Sequence, residues 1–482
     1  AKGYRKAVEK GGRAGGNKFA AGGWKAQLNG IAQEVYINGL LSWINTQYKN
    51  LFSTPSLMLY RGGEDFVAGI YGAAYRSALR LAGKDVSPEG AYISDIAARF
   101  WGNTRAFSNA MSVAADVWRT ELPSDALTKI DANKFQSIDA EKLGLTGTWG
   151  KAIDALGKVI RIPQRALLSV DEFWKTTSDG GELYVQSLHA MRRAKAAGKT
   201  DQEAMDDALM IALDPRAVGK ELDTAARYAT LTTDLAEHGP LMEKMAGFVH
   251  VIQQNPFGRM IMPFVTVPAN DVIRVMERSP AALVMRRPWA DLSGQNGPEA
   301  MQKALARMSL GTASMAGVYQ MAIDGRITGN LPGDRKEREA LRLGHPNWRP
   351  YSLVFRGDDW PVDEDGDELP LYNARTGLPN GPLTYVPYGG YGPVAGLMAI
   401  GATMAERMRI TEDPSQRTAI VSNAIAATFG YFSNMPFLMG VASVYKAIDY
   451  DDPGYVLDAP IGAAMPFSSF GRNVMAGVDP RL

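Results

Sequence analysis

The sequence has no cysteine, which excludes disulfide staples, thiolate metal sites and cysteine nucleophiles together. With no thiol, nothing marks a redox compartment. Histidine is almost as scarce: His189, His238, His250 and His345 are scattered along the chain, so no multi-histidine metal site is expected, and no cofactor. Neither sign of charge is in excess. With 52 Lys and Arg against 51 Asp and Glu, no global field draws the chain to nucleic acid or an anionic membrane, so such binding must come from local clusters. A secretory leader is not expected, because the first 26 residues are Gly-rich and basic rather than apolar.

Catalytic signatures are also missing. There is no Gly-x-Ser-x-Gly elbow, no short-range Ser/His pairing and no Glu-Ser pair of the lytic transglycosylase kind. Gly198-Lys199-Thr200 lacks the upstream glycine of a phosphate-binding loop, and the alternation Asp363, Asp365, Asp367 has Glu368 where a calcium-binding EF-hand loop needs glycine. Asp206 and Asp207, about 100° apart on a helix, read as a wet face. The expectation is therefore a protein that is not an enzyme.

What is present is 482 residues, 46% hydrophobic and 21% charged, enough for a sizeable core and, at ~150 residues per domain, about three domains. Glycine, at 50 residues, exceeds the usual ~7%, and methionine, at 22, is plentiful; both favour close helix packing and adaptable surfaces. Apolar positions recur at helical spacing over about 27–325, as in Ile37, Leu40, Leu41 and Ile44, and in Phe173, Trp174, Leu183 and Leu188. Ser87-Pro88-Glu89 and the Thr200-x-x-Glu203 box read as helix starts, and Gly198 as a helix end. Residues 345–390 are rich in proline, and Tyr351–Phe355 and Leu383–Val386 read as two strands flanking an acidic turn. The fold expected is mainly α, an extended multi-helix assembly with a small β insertion near residues 345–390. Its segments are a basic Gly-rich arm (1–26), an N-terminal helical region (27–121), a polar joint (122–150), a central helical region (151–344), the β insertion with its acidic turn (345–390) and an apolar C-terminal helical region (391–482).

Three uncharged runs stand out: Met308–Ile323, Tyr391–Ala405 and Thr418–Tyr445. The last is long enough for a membrane span, but Asn434 and Pro436 interrupt it, so a core helical hairpin and conditional membrane contact both remain open. Small residues four apart, Ala313 with Gly317 and Ala395 with Ala399, suit tight helix packing, and Gly430 belongs to the same class. The arm carries Lys2, Arg5, Lys6, Lys10, Arg13, Lys18 and Lys25 with Tyr4, Phe19 and Trp24 interleaved, a pattern that can meet DNA or another anionic surface, or serve as a linker.

The stretch Pro263-Phe264-Val-Thr-Val-Pro268-Ala-Asn270, followed by Glu277-Arg278-Ser279-Pro280, resembles a pattern of the internal virion (ejection, or DNA-transfer) proteins of tailed bacteriophages and related large polyvalent proteins. Further pieces follow in that family's order: Val170–Lys175, Ala229–Thr232, Trp348-Arg-Pro350-Tyr351-Ser352, Tyr388 with Pro393, Pro436–Gly440, and a closing stretch with Asp479-Pro480. Gly390 and Gly392 stand where the family often has Arg and Asp. The resemblance covers roughly residues 170–482, and its motifs read as scaffolding: Pro263 and Pro268 hold an extended segment, Pro268 opens a helix, and Asn270 bonds nearby backbone.

The resemblance implies a protein stored in the capsid interior and delivered into the host envelope at infection, where copies form a ring or tube around the DNA path. The partners it implies are further copies of the chain, other ejection proteins, portal or core proteins, genomic DNA and, conditionally, the host membrane. Two alternatives stay open: a core or neck protein that never leaves the virion, and the non-catalytic part of a larger polyvalent enzyme such as a cell-wall hydrolase.

Overall fold

The computed structural model describes residues 24–42, 44–123, 136–235, 266–330, 348–358, 360–371, 380–389 and 391–410. Among them the fold is mainly α, with twelve α-helices and one two-stranded sheet. The first half holds α1 (Trp24–Leu41), α2 (Ile44–Leu81), α3 (Ser94–Thr120), α4 (Ala140–Leu143), α5 (Gly147–Ile160), α6 (Ile162–Ala196), α7 (Asp201–Leu213) and α8 (Gly219–Thr230). Then follow α9 (Thr266–Glu277), α10 (Arg286–Leu292), α11 (Pro298–Ile323), β1 (Ser352–Arg356), β2 (Leu383–Pro387) and α12 (Pro393–Ile410).

Local chemistry sets several of these boundaries. The Thr200 side chain accepts from the Glu203 N–H while the Glu203 carboxylate accepts from the Thr200 N–H, so two orphan donors at the start of α7 are satisfied reciprocally. Gly198, at φ +82°, ends the preceding helix in the left-handed region open to glycine. The expected helix start at Ser87-Pro88-Glu89 is corrected. Ser87 Oγ accepts from the Glu89 N–H at 3.1 Å in a local turn, Gly90 sits at φ +140°, and α3 begins only at Ser94. Pro268 is likewise not the first helical residue. Thr266 and Val267 already belong to α9, and the proline lies in its first turn, where a missing N–H leaves no helical bond unmade.

The helices α3 and α6 run antiparallel in close contact. A Cβ on Gly102 would stand 2.3 Å from the Gly180 carbonyl oxygen, and one on Gly180 would stand 2.3 Å from the Ala106 Cβ. Only glycine permits that approach. The buried face of α6 repeats at alternating steps of four and three through Gln164, Leu168, Asp171, Lys175, Ser178, Glu182, Val185 and His189. This is the spacing of a coiled-coil seam, filled mostly by polar and charged side chains, with Leu168 and Val185 the two apolar members of the eight. Phe173, Trp174, Leu183 and Leu188, expected as the apolar face, are only partly buried beside it.

The main apolar core lies elsewhere, where α1, α11 and α12 meet the sheet. Ile37, Leu40 and Leu41 are buried there, as the helical spacing predicts, with Val318, Leu397, Ile400 and Tyr388. Each fully buried aliphatic side chain contributes about 1.5–3 kcal/mol. A Cβ on Gly401 of α12 would lie 2.6 Å from the Met315 carbonyl oxygen of α11, so these two helices also touch backbone to backbone. The strands pair antiparallel, Ser352 opposite Pro387 and Val354 opposite Tyr385, and Ile327 adds an isolated bridge to Leu353. Between them the acidic turn is exposed. Asp363 Oδ1 accepts from the N–H groups of Asp365 and Asp367, and Glu368 pairs with Arg356 across the hairpin.

Candidate functional site

The motif residues within the described set lie at the joints between elements. Asn270, fully buried, donates through Nδ2 to the Thr233 carbonyl at 2.8 Å and to the Thr266 carbonyl at 3.0 Å, tying α9 to the segment after α8. One turn further, Arg274 donates to Thr233 Oγ1 at 2.7 Å and pairs with Glu277. Arg278, with no exposed side-chain surface, forks onto Glu64 of α2, its Nε 2.7 Å and its Nη2 3.1 Å from the two carboxylate oxygens. Ser279 then caps the short 3₁₀ turn Pro280–Val284. At the sheet, Ser352 N–H donates to Thr328 Oγ1, which itself donates to the Arg349 carbonyl, and Tyr388 hydroxyl donates to the Thr328 carbonyl at 2.9 Å. Tyr351 takes φ +53° and stacks edge-on against Tyr388. Gly392, at φ +55°, has Ser53 so near that a Cβ would lie 2.9 Å from it, so an Asp there would not fit without movement. Trp348 and Pro350 are described but lie outside any helix or strand.

These joints belong to a larger ionic interior. Arg99 of α3 bonds Asp65 of α2 at 2.7 Å and Glu182 of α6 at 2.8 Å, and Glu182 also takes Arg61 at 3.1 Å. Burial opposes ionisation of Glu182, but Arg99, Arg61 and Lys303 outweigh it and hold its carboxyl well below the usual range. Asp95 bonds His189 at 3.2 Å and Arg192 at 2.6 Å, and is lowered by them against the same burial. Near the N-terminal end, Arg161 joins Glu34 and Glu121, and Glu34 also accepts from the N–H groups of Ser137 and Ile138. Burial nonetheless keeps Glu34 above its ordinary value. Ser137 and Ile138, from the expected polar joint, are thereby bonded to α1. On α6, one turn from Lys175 and Glu182, burial and then the neighbouring Asp223 carboxylate push Asp179 up to about 7.

A cavity of about 520 Å³ opens between α2, α6, α8, α9, α10 and α11. At its floor the Tyr228 ring is surrounded by guanidinium groups, with Arg274 3.6 Å, Arg307 5.1 Å and Arg61 and Arg278 each 5.7 Å from the ring centroid. The Tyr228 hydroxyl donates to Glu277 at 3.3 Å. Sequence reading missed this cavity. Its residues come from six helices far apart in the chain, and none carries a local motif that names it.

Outside, two helices turn apolar faces to solvent. On α3, Trp101, Met111 and Trp118 are exposed on the side away from the face that packs on α6, with the polar Thr104 and Ser108 between the first two and with the Arg165 guanidinium of α6 4.4 Å from the Trp118 ring centroid. On α5 the glycines Gly150 and Gly157 face inward, where a Cβ on Gly157 would lie 2.2 Å from the Ile138 carbonyl oxygen. Trp149, 78% exposed, projects outward with Leu156 and Val159.

The small-residue pairs separate. Ala395 and Ala399 are buried in the core, whereas Ala313 and Gly317 are exposed, and a Cβ on Gly317 would meet nothing within 4 Å. Lys199 of the discarded phosphate-loop match pairs with Asp207. Lys25 lies in the first turn of α1. Lys2, Arg5, Lys6, Lys10, Arg13, Lys18, Pro263, Phe264, Gly430, Gly440, Asp479 and Pro480 lie outside the described residues, as does the run 418–445. Among the described residues no helix is long and apolar enough to cross a membrane. No family model, curated protein or solved structure matches the chain.

Proposed function

We propose that this chain is a non-enzymatic assembly subunit of a tailed-phage particle, of the internal virion class, which leaves the capsid and oligomerises in the host envelope along the path of the DNA. The observation that carries this reading is the set of exposed large apolar side chains on α3, Trp101, Met111 and Trp118, on a helix whose opposite face is already occupied by α6. Among the described residues no other helix covers Trp101 and Met111, and exposed apolar surface of that kind marks a protein interaction site. The motif residues support the reading because Asn270, Arg278, Ser279 and Ser352 are buried where they fix one element to another. Further copies of the chain are the partners this surface suits; other ejection proteins, portal or core proteins, genomic DNA and the membrane belong to the same proposal.

Quantitative mass spectrometry of full virions, emptied particles and infected-cell envelopes tests it. Loss from emptied particles with recovery in envelopes is the expected result. Retention in emptied particles would point instead to a structural core or neck protein, and absence from virions would overturn both.

A further inference from the structure

The cavity floored by Tyr228 has a donor surplus that its own carboxylates do not absorb. Arg61 is bonded to Glu182, Arg274 to Glu277, Arg278 to Glu64 and Lys303 to Glu299. Arg307 is the exception. Among the described residues no carboxylate lies within ion-pair distance of its guanidinium and no acceptor is hydrogen-bonded to it; it lies over the Tyr228 ring, with Glu277 and Glu64 acting on it from further off. Glu182 is shared between Arg61 and Arg99 through Oε2 and accepts from Gln186 at Oε1. In the same wall Arg274 Nε is buried without an acceptor. Glu277, Glu64 and Tyr228 are close enough to favour the charge of Arg307 against burial, but its half-buried N–H donors have no acceptor, and a guanidinium in that state is the group of choice for recognising planar or tetrahedral oxyanions.

We propose that this cavity binds a compact phosphate-bearing anion, with Arg307 as the anchor. The volume lies within the usual ~300–1,000 Å³ of small-molecule sites, larger than a single oxyanion needs. Lys220 stands exposed at the rim and Arg287 and Lys303 line the wall, so a ligand with more than one negative charge finds further cations beyond Arg307. The carboxylates that face the space are mostly engaged: Glu277 by Arg274 and Tyr228, Glu299 by Lys303, and Asp291 by the Asn296 amide. Glu221, beside Lys220, remains at the rim and limits how much negative charge the mouth accepts. This inference does not rest on the virion reading.

The test is calorimetric titration of the full chain with sodium pyrophosphate, against sodium chloride of equal ionic strength. The wild type should bind pyrophosphate saturably, and Arg307→Gln should weaken binding by about tenfold to a hundredfold, the worth of charge-assisted hydrogen bonds. Arg307→Lys keeps the charge but not the fork and should fall between. Should Arg307→Gln fail to fold by circular dichroism, Arg307→Lys and the exposed Lys220→Gln decide the matter, both weakening binding while the melting temperature in chloride is unchanged. Competition separates two sources of the phosphate. Displacement of pyrophosphate by a short 5′-phosphorylated oligonucleotide, and not by its unphosphorylated form, identifies a nucleic-acid end; no displacement by either identifies a free phosphate ester. Equal affinity in the wild type and the Arg307 and Lys220 variants, or heat that chloride reproduces, overturns the proposal.

Discussion

At the scale of single residues, the molecule depends on charges placed where water is excluded. Removing one member of such a pair leaves the other buried and uncompensated, whereas replacing both by apolar groups of similar size does not. Arg278→Met should therefore destabilise the protein by about 3–5 kcal/mol. The double variant Arg278→Met with Glu64→Leu should recover most of that loss, and urea titration of the three proteins measures both. Asp179 gives the opposite kind of effect. Its value of about 7 in the folded protein lies above the ordinary 3.8, so the folded state holds that proton more tightly than the unfolded chain. The stabilisation it brings is complete below about pH 4 and is lost as pH rises through about 7. Asp179→Asn should remove this slope, so that its melting temperature overtakes that of the wild type as pH is raised from about 5 to about 8. Few of these roles could be read from the sequence. Arg278 and Glu64 are more than 200 positions apart, and nothing local distinguishes a buried arginine from a solvated one. Asn270 was legible as a backbone-bonding residue, but its partner Thr233 was not.

At the scale of elements, patterns that depend on neighbours in sequence were readable and those that depend on distant contacts were not. The two strands fall where the β-branched and aromatic runs place them, and the Thr200 box starts its helix. Ser87-Pro88-Glu89 misled because a serine that bonds its own backbone serves a turn as well as a helix cap. The seam of α6 was hidden by its charge: a search for apolar periodicity passes over Asp171, Lys175 and Glu182, whose partners make burial tolerable. Glycine abundance did announce close packing, but at Gly102, Gly180 and Gly401 rather than at Ala313 and Gly317. Gly102→Ala should force α3 and α6 apart and cost about 1–3 kcal/mol, the usual range for overpacking, whereas Gly317→Ala, with open space around it, should be neutral or slightly stabilising. Thermal melts of the two variants make the comparison.

At the scale of the whole molecule, the exposed apolar side chains of α3 and the outward face of α5 set the expected behaviour in solution. Trp101→Glu with Met111→Glu should leave helicity unchanged and shift the sedimentation or light-scattering mass toward the monomer. An unchanged mass would assign assembly to another surface. The mainly α fold and its small sheet were legible from composition and spacing alone. The cavity was not, because it exists only after six helices have come together.

The order of charges along α3 also has a mechanical meaning. Asp95 faces His189 and Arg192, while Arg99, one turn on, faces Glu182 and Asp65. If α3 slides by a turn one way, Asp95 comes to rest against two carboxylates; if it slides the other way, Arg99 meets Arg192 and a histidine. Both displaced alignments are repulsive, so the pair resists shear along its axis even though its glycine contacts are smooth. A load applied along these helices would thus be borne as an abrupt, all-or-none release rather than as gradual creep.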